Sequence, residues 1–280
     1  MAAASIVILA AFARWELRRE EPMLDLRYFR HRGFSIGSLG MALVFFAMFG
    51  FMFLLTQYMQ LVLGYSALGT ALRMLPFVFV MITIAPQTPR LAAARGAHRV
   101  VSAGLLTVAA GMALLSRIGV ATDYWVIVVV MMLLACGMAL SMAPMTNSIM
   151  SGVPRAKAGI GSAMNDTSRE LGGALGVAVL GSIANSRYTS TLKPSLAGLP
   201  PEVVSAAHDS LAGALGAASR MGDAGAGLAA AARQAFVDGM TGAVLAGAAV
   251  IAVAAIVARR HLPAEDPAGE QPAAPPLRSS

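Results

Sequence analysis

The sequence predicts an all-α protein folded as a polytopic membrane helix bundle. Hydrophobic residue types make up 57% of the 280 residues and charged types only 12%, whereas soluble domains carry about 25% charged residues. Six apolar runs are long enough to cross the hydrocarbon core of a bilayer, about 30 Å thick, as helices. Basic residues gather in alternate loops between these runs. The composition argues against an ordinary soluble enzyme and against a disordered chain.

The apolar runs define the predicted membrane spans. A spanning helix needs about 20 mostly apolar residues, and the runs that meet this condition are residues 34–56, 69–86, 100–116, 124–146, 158–184 and 236–258. Residues 1–13 hold a shorter apolar run, which as a helix reaches only about 18 Å. In a signal peptide a basic residue precedes the apolar run, but here arginines follow it. We therefore expect residues 1–13 to be the remnant of a transmembrane helix, and the chain to be a fragment.

Basic residues in the short loops predict the orientation in the membrane. They occur before the first span, between the second and third, between the fourth and fifth, and after the sixth, at positions that include Arg30, Arg95, Arg155 and Arg259. These four regions must all lie on one side, and the positive-inside rule assigns that side to the cytoplasm. We expect a multi-pass protein of the plasma membrane, the cell inner membrane, with its N-terminal linker and C-terminal tail in the cytoplasm.

The segments outside the spans complete the predicted organisation. Residues 14–33 form a cytoplasmic amphipathic linker of mixed charge, which either lies on lipid headgroups or is a plain solvated connector; both interpretations stay open. Residues 34–258 form the six-helix transmembrane bundle. Residues 259–280 form a Pro-rich polar tail, which is predicted to be disordered in the cytoplasm.

The bundle includes one long outer loop, residues 185–235, between the fifth and sixth spans. Pro200 and Pro201 favour the start of a helix that runs to about Arg220. The loop is rich in Ala and Gly and contains few bulky apolar residues. It therefore predicts helices on the surface rather than another membrane span.

The net charge of +7 has an explanation in membrane topology. Lys and Arg number 21 against 14 Asp and Glu, and basic residues collect in cytoplasmic loops, so a nucleic-acid partner is not expected. The sequence has no G-x-x-x-x-G-K-[ST], H-E-x-x-H or C-x-x-C motif, its four histidines are scattered, and Cys136 is its single cysteine. We therefore expect no metal, no cofactor and no enzymatic activity.

Polar residues inside the fifth span give the strongest functional signal. Asn165, Asp166, Arg169 and Glu170 lie about two helical turns into this run. Each charge near the centre of a membrane helix costs about 2.5–3.5 kcal/mol on insertion scales, so the three charges need partners or water. Their spacing of three and four residues brings them to one side of a helix. Three roles stay open: an ion pair of Arg169 with a carboxylate, proton transfer by a carboxylate, or direct contact with a substrate.

Glycines follow this polar cluster at helical spacing. Gly172 and Gly176 form a small-residue stripe, and Gly173 and Gly181 lie one residue out of step with it. Such stripes let helix backbones approach each other closely. Close contact without interlocking side chains is compatible with packing alone or with the sliding that alternating access requires.

Prolines interrupt two of the predicted spans. Pro76 and Pro144 lie within or near the ends of apolar runs, where neighbours or water must satisfy the lost backbone hydrogen bonds. Kinked helices of this kind often line transporter cavities. A static kink is an equally good interpretation.

Several other residues on the spans are candidates for lining a substrate cavity, together with Asn165. Gln57 and Gln60 end the first span, Met138 and Met142 lie in the fourth, and Arg73 lies near the start of the second. Flexible thioether side chains suit a promiscuous apolar pocket, but they also serve as core or lipid-facing filler. Arg73 either reaches the membrane surface or faces the cavity.

Four segments carry a resemblance to a known family: EPMLDLRYFRHRGF (21–34), ALRMLPF (71–77), PRLAAARGAHR (89–99) and GIGSAMNDTSRELGGALGVAVLGSI (159–183). They look like, in order, the linker into a C-terminal six-helix bundle, the start of its second helix, a degenerate loop motif, and the penultimate helix. On these segments the chain resembles the C-terminal half of a major facilitator superfamily transporter, in the fourteen-helix drug:proton antiporter branch.

The resemblance implies a secondary antiporter that exports hydrophobic, often cationic, compounds in exchange for protons. Its partners are then small substrates, protons, the lipid bilayer and the missing N-terminal helix bundle. It carries proton-coupling or gating roles over to Asp166, Glu170 and Arg169, with Asn165 as a weaker candidate. One departure is Ala93, which stands where the loop motif usually has an acidic residue.

Two alternatives to a fragment of a larger exporter stay open. One is a membrane remnant that keeps the fold without transporting. The other is a half-sized transporter that works as a homodimer.

Overall fold

A computed structural model describes residues 14–15 and 26–262 of the chain. Over these residues the regular structure is entirely helical, and no strand is present in the described part. The prediction of an all-α fold is confirmed. The predicted helix remnant at 1–13, most of the linker up to residue 25, and the tail from residue 263 lie outside the described residues.

Ten α-helices make up the described chain. They are α1 (Arg32–Gln57), α2 (Ala67–Arg73), α3 (Leu75–Ile84), α4 (Thr88–Arg95), α5 (Ala97–Leu115), α6 (Tyr124–Ser151), α7 (Ala158–Leu192), α8 (Pro201–Asp209), α9 (Leu211–Arg220) and α10 (Ala226–His261). A π-helical turn, Tyr58–Val62, extends α1. Short 3₁₀ turns occupy Leu26–Arg30, Ala85–Gln87, Arg155–Lys157, Lys193–Leu196 and Gly222–Gly225.

Five helical segments among the described residues are long and apolar enough to cross a membrane: Arg32–Val62, Ala67–Arg95, Ala97–Leu115, Tyr124–Ser151 and Gly222–His261. Each covers one of the predicted spans. The remaining predicted span, residues 158–184, falls within α7, whose charged and glycine-rich sequence makes it less apolar. With 35 residues, α7 is about 50 Å long, and it packs along α1 and α10 in the same bundle.

The second membrane segment is a broken helix. The Ser66 hydroxyl caps α2 by accepting a hydrogen bond from the Gly69 N–H at 3.0 Å, and α2 ends just before the proline at the start of α3. The loop motif predicted at 89–99 is instead mostly helical, because α4 continues to Arg95. The turn into α5 is made at Gly96, whose φ of 86° is accessible to glycine at little cost.

Proline does not break α6. This helix is continuous from Tyr124 to Ser151 with Pro144 inside it. The Ser148 hydroxyl donates to the Pro144 carbonyl oxygen at 2.9 Å. A neighbouring helix is bonded to α6, because the Thr88 hydroxyl of α4 donates to the Ala139 carbonyl of α6 at 3.1 Å.

Two short helices cover one end of the bundle. A helix begins at Pro201, but the helix predicted to run to about Arg220 is two helices, since Ser210 is extended (φ −169°, ψ 160°). The Ser210 hydroxyl accepts from the Gly213 N–H at 3.0 Å and so caps α9. The Tyr188 hydroxyl donates to the Ala207 carbonyl at 2.9 Å, which ties this helix pair to the end of α7.

Candidate functional site

The rotation of α7 is set by backbone contact with α1. Gly172 lies against the Ala42 carbonyl and Gly176 against the Phe46 carbonyl, so closely that a Cβ at either glycine would overlap the facing oxygen. The predicted stripe of small residues therefore lies in the α1–α7 interface. This contact directs the neighbouring face of α7, which carries the charged residues, along one side of α1.

A row of aromatic side chains on α1 borders this face. Phe45, Phe49 and Phe53 are four residues apart, so they lie on one side of the helix. The second pair of glycines meets this row, because a Cβ at Gly173 would lie 3.2 Å from the Phe49 ring and one at Gly181 3.2 Å from the Phe53 ring. The absence of side chains at these positions lets the two rings pack closely against α7.

Arg169 binds to this aromatic row instead of to a carboxylate. Its guanidinium carbon lies 5.2 Å from the centre of the Phe45 ring, within the range of a cation–π interaction. Its Nε is buried and has no hydrogen-bond partner within the described residues. A buried donor without a partner is costly and rare in a folded protein.

The two carboxylates of the predicted cluster are exposed. Asp166 and Glu170 lie one turn apart on α7, both accessible, and no salt bridge joins either of them to a basic side chain in the described ranges 14–15 and 26–262. The alternative in which Arg169 pairs with one of them is therefore not the arrangement that the structure shows.

Arg169 and Glu170 line a cavity between α1 and α7. We call it the Arg169 cavity; its volume is about 300 Å³, and it is also lined by Phe45, Phe49 and Val177. It combines one cation, one carboxylate and two aromatic rings at the open side of the helix pair. Asp166 lies one turn from Glu170, before the residues that line the cavity.

A second cavity lies further along the same helix pair. We call it the Gln57 cavity; its volume is about 370 Å³ and it is bounded by α1, α7, α10 and the junction of α8 with α9. Its aromatic lining residues are Phe53, Tyr188 and Phe236, and its polar ones include Gln57, Asn185 and Asp209. Val177 lines both cavities, so they are neighbours along α7.

The other predicted cavity residues lie elsewhere. Asn165 is 8% exposed, and its side-chain oxygen accepts from the Thr146 hydroxyl of α6 at 3.3 Å, so it links two helices. Met138 is completely buried, and Met142 is half-buried against the core. Gln60 is half-buried in the π-helical turn and is not among the residues that line the described cavities.

Arg73 is held at the end of the bundle that carries α8 and α9. Its guanidinium carbon lies 4.0 Å from the centre of the Tyr65 ring and 5.8 Å from that of Tyr124. Its Nη1 donates to the Gly69 carbonyl at 3.2 Å, and the Tyr124 hydroxyl donates to the Arg73 carbonyl at 2.8 Å. This arrangement resembles the anchoring of an amphipathic side chain at a membrane surface.

Among the described residues, no group of three or more His, Cys, Asp or Glu side chains is placed to hold a metal ion. The site is thus built from aromatic rings, amides and single charges. Such groups suit the binding of organic molecules.

Sequence reasoning missed the aromatic row and the polar residues of the Gln57 cavity. The spacing of Phe45, Phe49 and Phe53 carries the signal of a single helix face. Asn185 and Asp209 are 24 residues apart, so no helical spacing in the sequence relates them. They come together only because the chain turns between α7 and α8.

Comparison with known proteins decides the family. The family model described as Major Facilitator Superfamily matches residues 1–177. The chain belongs to the Major Facilitator Superfamily. The predicted resemblance is confirmed, and this member of the superfamily is a multi-pass membrane protein.

Curated relatives within the superfamily are named for drug efflux and resistance. The chain is 34% identical to the multidrug efflux pump LfrA of Mycolicibacterium smegmatis, over 91% of this chain and 51% of the relative. It is 32% identical to the multidrug resistance protein Stp of Mycobacterium tuberculosis, over 70% of this chain and 36% of Stp. It is also 32% identical to the tetracenomycin C resistance and export protein of Streptomyces glaucescens, over 91% and 49%. The chain thus spans about half or less of the length of these relatives.

Proposed function

We propose that this chain is the C-terminal helix bundle of a secondary transporter that exports hydrophobic or cationic drug-like compounds in exchange for protons. The superfamily and the functions for which its relatives are named, multidrug efflux among them, support the export of small molecules. The residues of the Arg169 cavity support the rest of the proposal.

The observation that carries the proposal is that the charged side chains of α7 do not pair with each other. Glu170 lines the cavity without a basic partner among the described residues, while Arg169 is held by an aromatic ring. A carboxylate near the middle of a membrane helix is costly when charged, so a change of solvation between transport states favours binding or release of a proton. Asp166, one turn away, extends the proposed route of the proton toward the beginning of α7.

The aromatic row supplies the second half of an exchange site. The Phe49 ring, 46% exposed, borders the same cavity as Glu170, so a flat apolar or cationic molecule can stack on it beside the carboxylate that takes up a proton. Competition between proton and substrate for one cavity is the simplest way to couple their movements. The glycine contacts of α7 with α1 let the two helix backbones approach closely.

Proton movement is a sufficient energy source for this export. A proton that crosses a membrane potential of 100 mV releases about 2.3 kcal/mol, before any pH gradient is added. The sequence contains no nucleotide-binding P-loop that would supply ATP energy instead.

The partner surface for a missing N-terminal bundle is part of the proposal. Bulky apolar side chains are exposed along α2, α3 and α7, among them Leu72, Phe79, Ile82, Leu171 and Leu175. In a full transporter these faces would contact the other bundle or lipid.

We place residues 34–258 within the membrane part, and the Arg-rich ends, including the linker 14–33 and the tail 259–280, in the cytoplasm of a plasma-membrane protein. The helix pair α8–α9 then lies on the outer side.

A transport assay on the intact gene product tests the proposal. Cells that express it are loaded with the fluorescent cation ethidium, and efflux is followed with and without a protonophore. We expect efflux that stops when the protonophore dissipates the gradient. Efflux equal to that of cells without the gene would overturn the proposal and leave the non-transporting remnant as the better interpretation. Efflux that continues unchanged after the gradient is lost would overturn proton coupling.

A further inference from the structure

The Gln57 cavity has polar groups that the fold itself does not use. Two of its polar side chains are already engaged: the Tyr188 hydroxyl donates to the Ala207 carbonyl and the Ser210 hydroxyl caps α9. The side chains of Gln57, Asn185 and Asp209 form no hydrogen bond with any other side chain or backbone group in the described part of the chain. These two amides and one carboxylate are free to bind a ligand.

The charge of the cavity selects the sign of that ligand. Asp209 contributes the only charged side chain among the described residues that line it. It is exposed at the junction of α8 and α9, where the chain is extended at Ser210, so an approaching molecule can reach it. No salt bridge joins Asp209 to a basic side chain among the described residues, although His208 precedes it in the chain. An unpaired carboxylate attracts a cation and repels an anion.

The walls of the cavity select the shape and polarity of the ligand. Phe53 of α1, Tyr188 of α7 and Phe236 of α10 bring aromatic surface from three different helices. Phe53 is 41% exposed and lines the cavity, so a molecule bound there can reach its ring. Aromatic rings bind organic cations through their faces, and the volume of about 370 Å³ is suitable for a small polycyclic or multi-ring molecule.

We propose that the Gln57 cavity is a binding site for a lipophilic organic cation, with Asp209 as its counter-charge and Phe53 as its aromatic wall. The site is separate from Arg169 and Glu170 but shares the wall at Val177 with their cavity. It rests on the proposed function for its role, which is that of an exit site on the outer side of the export path. The binding of a cation at this place is a property of the chain that can be measured without transport.

The first test measures binding of two probes to the purified protein in lipid nanodiscs. Tetraphenylphosphonium is the cationic probe, and the uncharged triphenylphosphine oxide is its neutral counterpart. We expect Asp209→Asn to weaken tetraphenylphosphonium binding by about two- to fivefold, as for an exposed ion pair, and to leave the neutral probe unaffected. Asp223→Asn, which removes the same charge in the same segment but outside the cavity, is the matched control and is expected to change neither.

The second test concerns the aromatic wall and the location of the probe. We expect Phe53→Ala to weaken tetraphenylphosphonium binding by about three- to tenfold, because a cation–π contact is lost together with apolar area. In a Cys136→Ala background, Asn185→Cys gives a thiol in the cavity, and we expect tetraphenylphosphonium to slow its reaction with a membrane-impermeant maleimide. Binding that is unchanged in both Asp209→Asn and Phe53→Ala, or a thiol that the probe does not protect, would overturn the site.

The cation site and the proposed function can fail separately. If the intact protein exports ethidium with a proton gradient but Asp209→Asn and Phe53→Ala bind tetraphenylphosphonium like the parent, the site is wrong and the exporter stands. If these variants weaken binding while the intact protein exports nothing, the site stands as a cation site and its role in export is wrong.

Discussion

Gly172 of α7 lies directly against the backbone of Ala42 in α1, where a methyl group on the glycine would overlap the Ala42 carbonyl oxygen. This single contact fixes how α7 is turned about its axis. Because Glu170 lies only two residues earlier, the same contact determines that this carboxylate points to the open cavity instead of into the core.

The first prediction concerns this contact. Gly172→Ala forces the two backbones apart, so we expect it to lower the free energy of unfolding in mixed SDS micelles by about 1–3 kcal/mol. Gly159→Ala is the matched control on the same helix, since nothing lies within 4 Å of a Cβ there. A loss of stability at residue 159 as large as that at residue 172 would mean that helix contact is not the cause.

The second prediction concerns the interaction of Arg169 with Phe45. In a double-mutant cycle with Phe45→Leu and Arg169→Met, we expect a coupling energy of about 0.5–2 kcal/mol in the free energy of unfolding. Phe45→Leu combined with Arg220→Met is the control cycle, because Arg220 belongs to α9, and its effects should add. Additive effects in both cycles would show that the ring does not stabilise the guanidinium group.

The third prediction concerns the carboxylates. In the intact protein we expect Asp166→Asn and Glu170→Gln each to abolish proton-coupled ethidium efflux at unchanged expression, because neither amide can release a proton. Glu202→Gln removes an exposed carboxylate at the start of α8 and should transport at the parental rate. Normal efflux by Asp166→Asn would remove that residue from the coupling mechanism, and the same holds for Glu170→Gln.

The fourth prediction concerns the cap of α9. Ser210→Ala removes the acceptor of the Gly213 N–H, which is worth about 0.5–2 kcal/mol to a helix. We expect amide hydrogen exchange at residues 211–214 to become about two- to thirtyfold faster, with little change in α8. Ser219→Ala, near the other end of α9, is the control, and equal acceleration by both variants would contradict a specific capping role.

The membrane requirement made most of the fold predictable. A helix that crosses lipid must be apolar over most of its length, so the apolar runs located the central part of every long helix. The ends were less predictable, because outside the lipid this constraint is lost: α7 continues to Leu192, beyond the predicted end at 184. The helix at Thr88–Arg95 was expected to be part of a loop for the same reason.

The site was predictable in its residues but not in its contacts. The spacing of Asp166, Arg169 and Glu170 permits an ion pair on an isolated helix. In the bundle, however, the position of Arg169 beside Phe45 depends on the rotation of α7 against α1. That rotation follows from the glycine contacts between the two helices. The pattern of one sequence shows the glycines but does not specify these contacts. Met138 and Asn165 are buried against neighbouring helices, and their roles as cavity candidates stay predictions.

The extended residue at Ser210 also makes the protein open to a simple topological measurement. Ser210 is exposed and lies outside both helices, so a short epitope inserted after it should be tolerated. An antibody confined to one side of sealed cells or inverted vesicles should therefore bind this epitope from that side alone. The side from which the antibody binds would report directly which compartment this part of the protein faces.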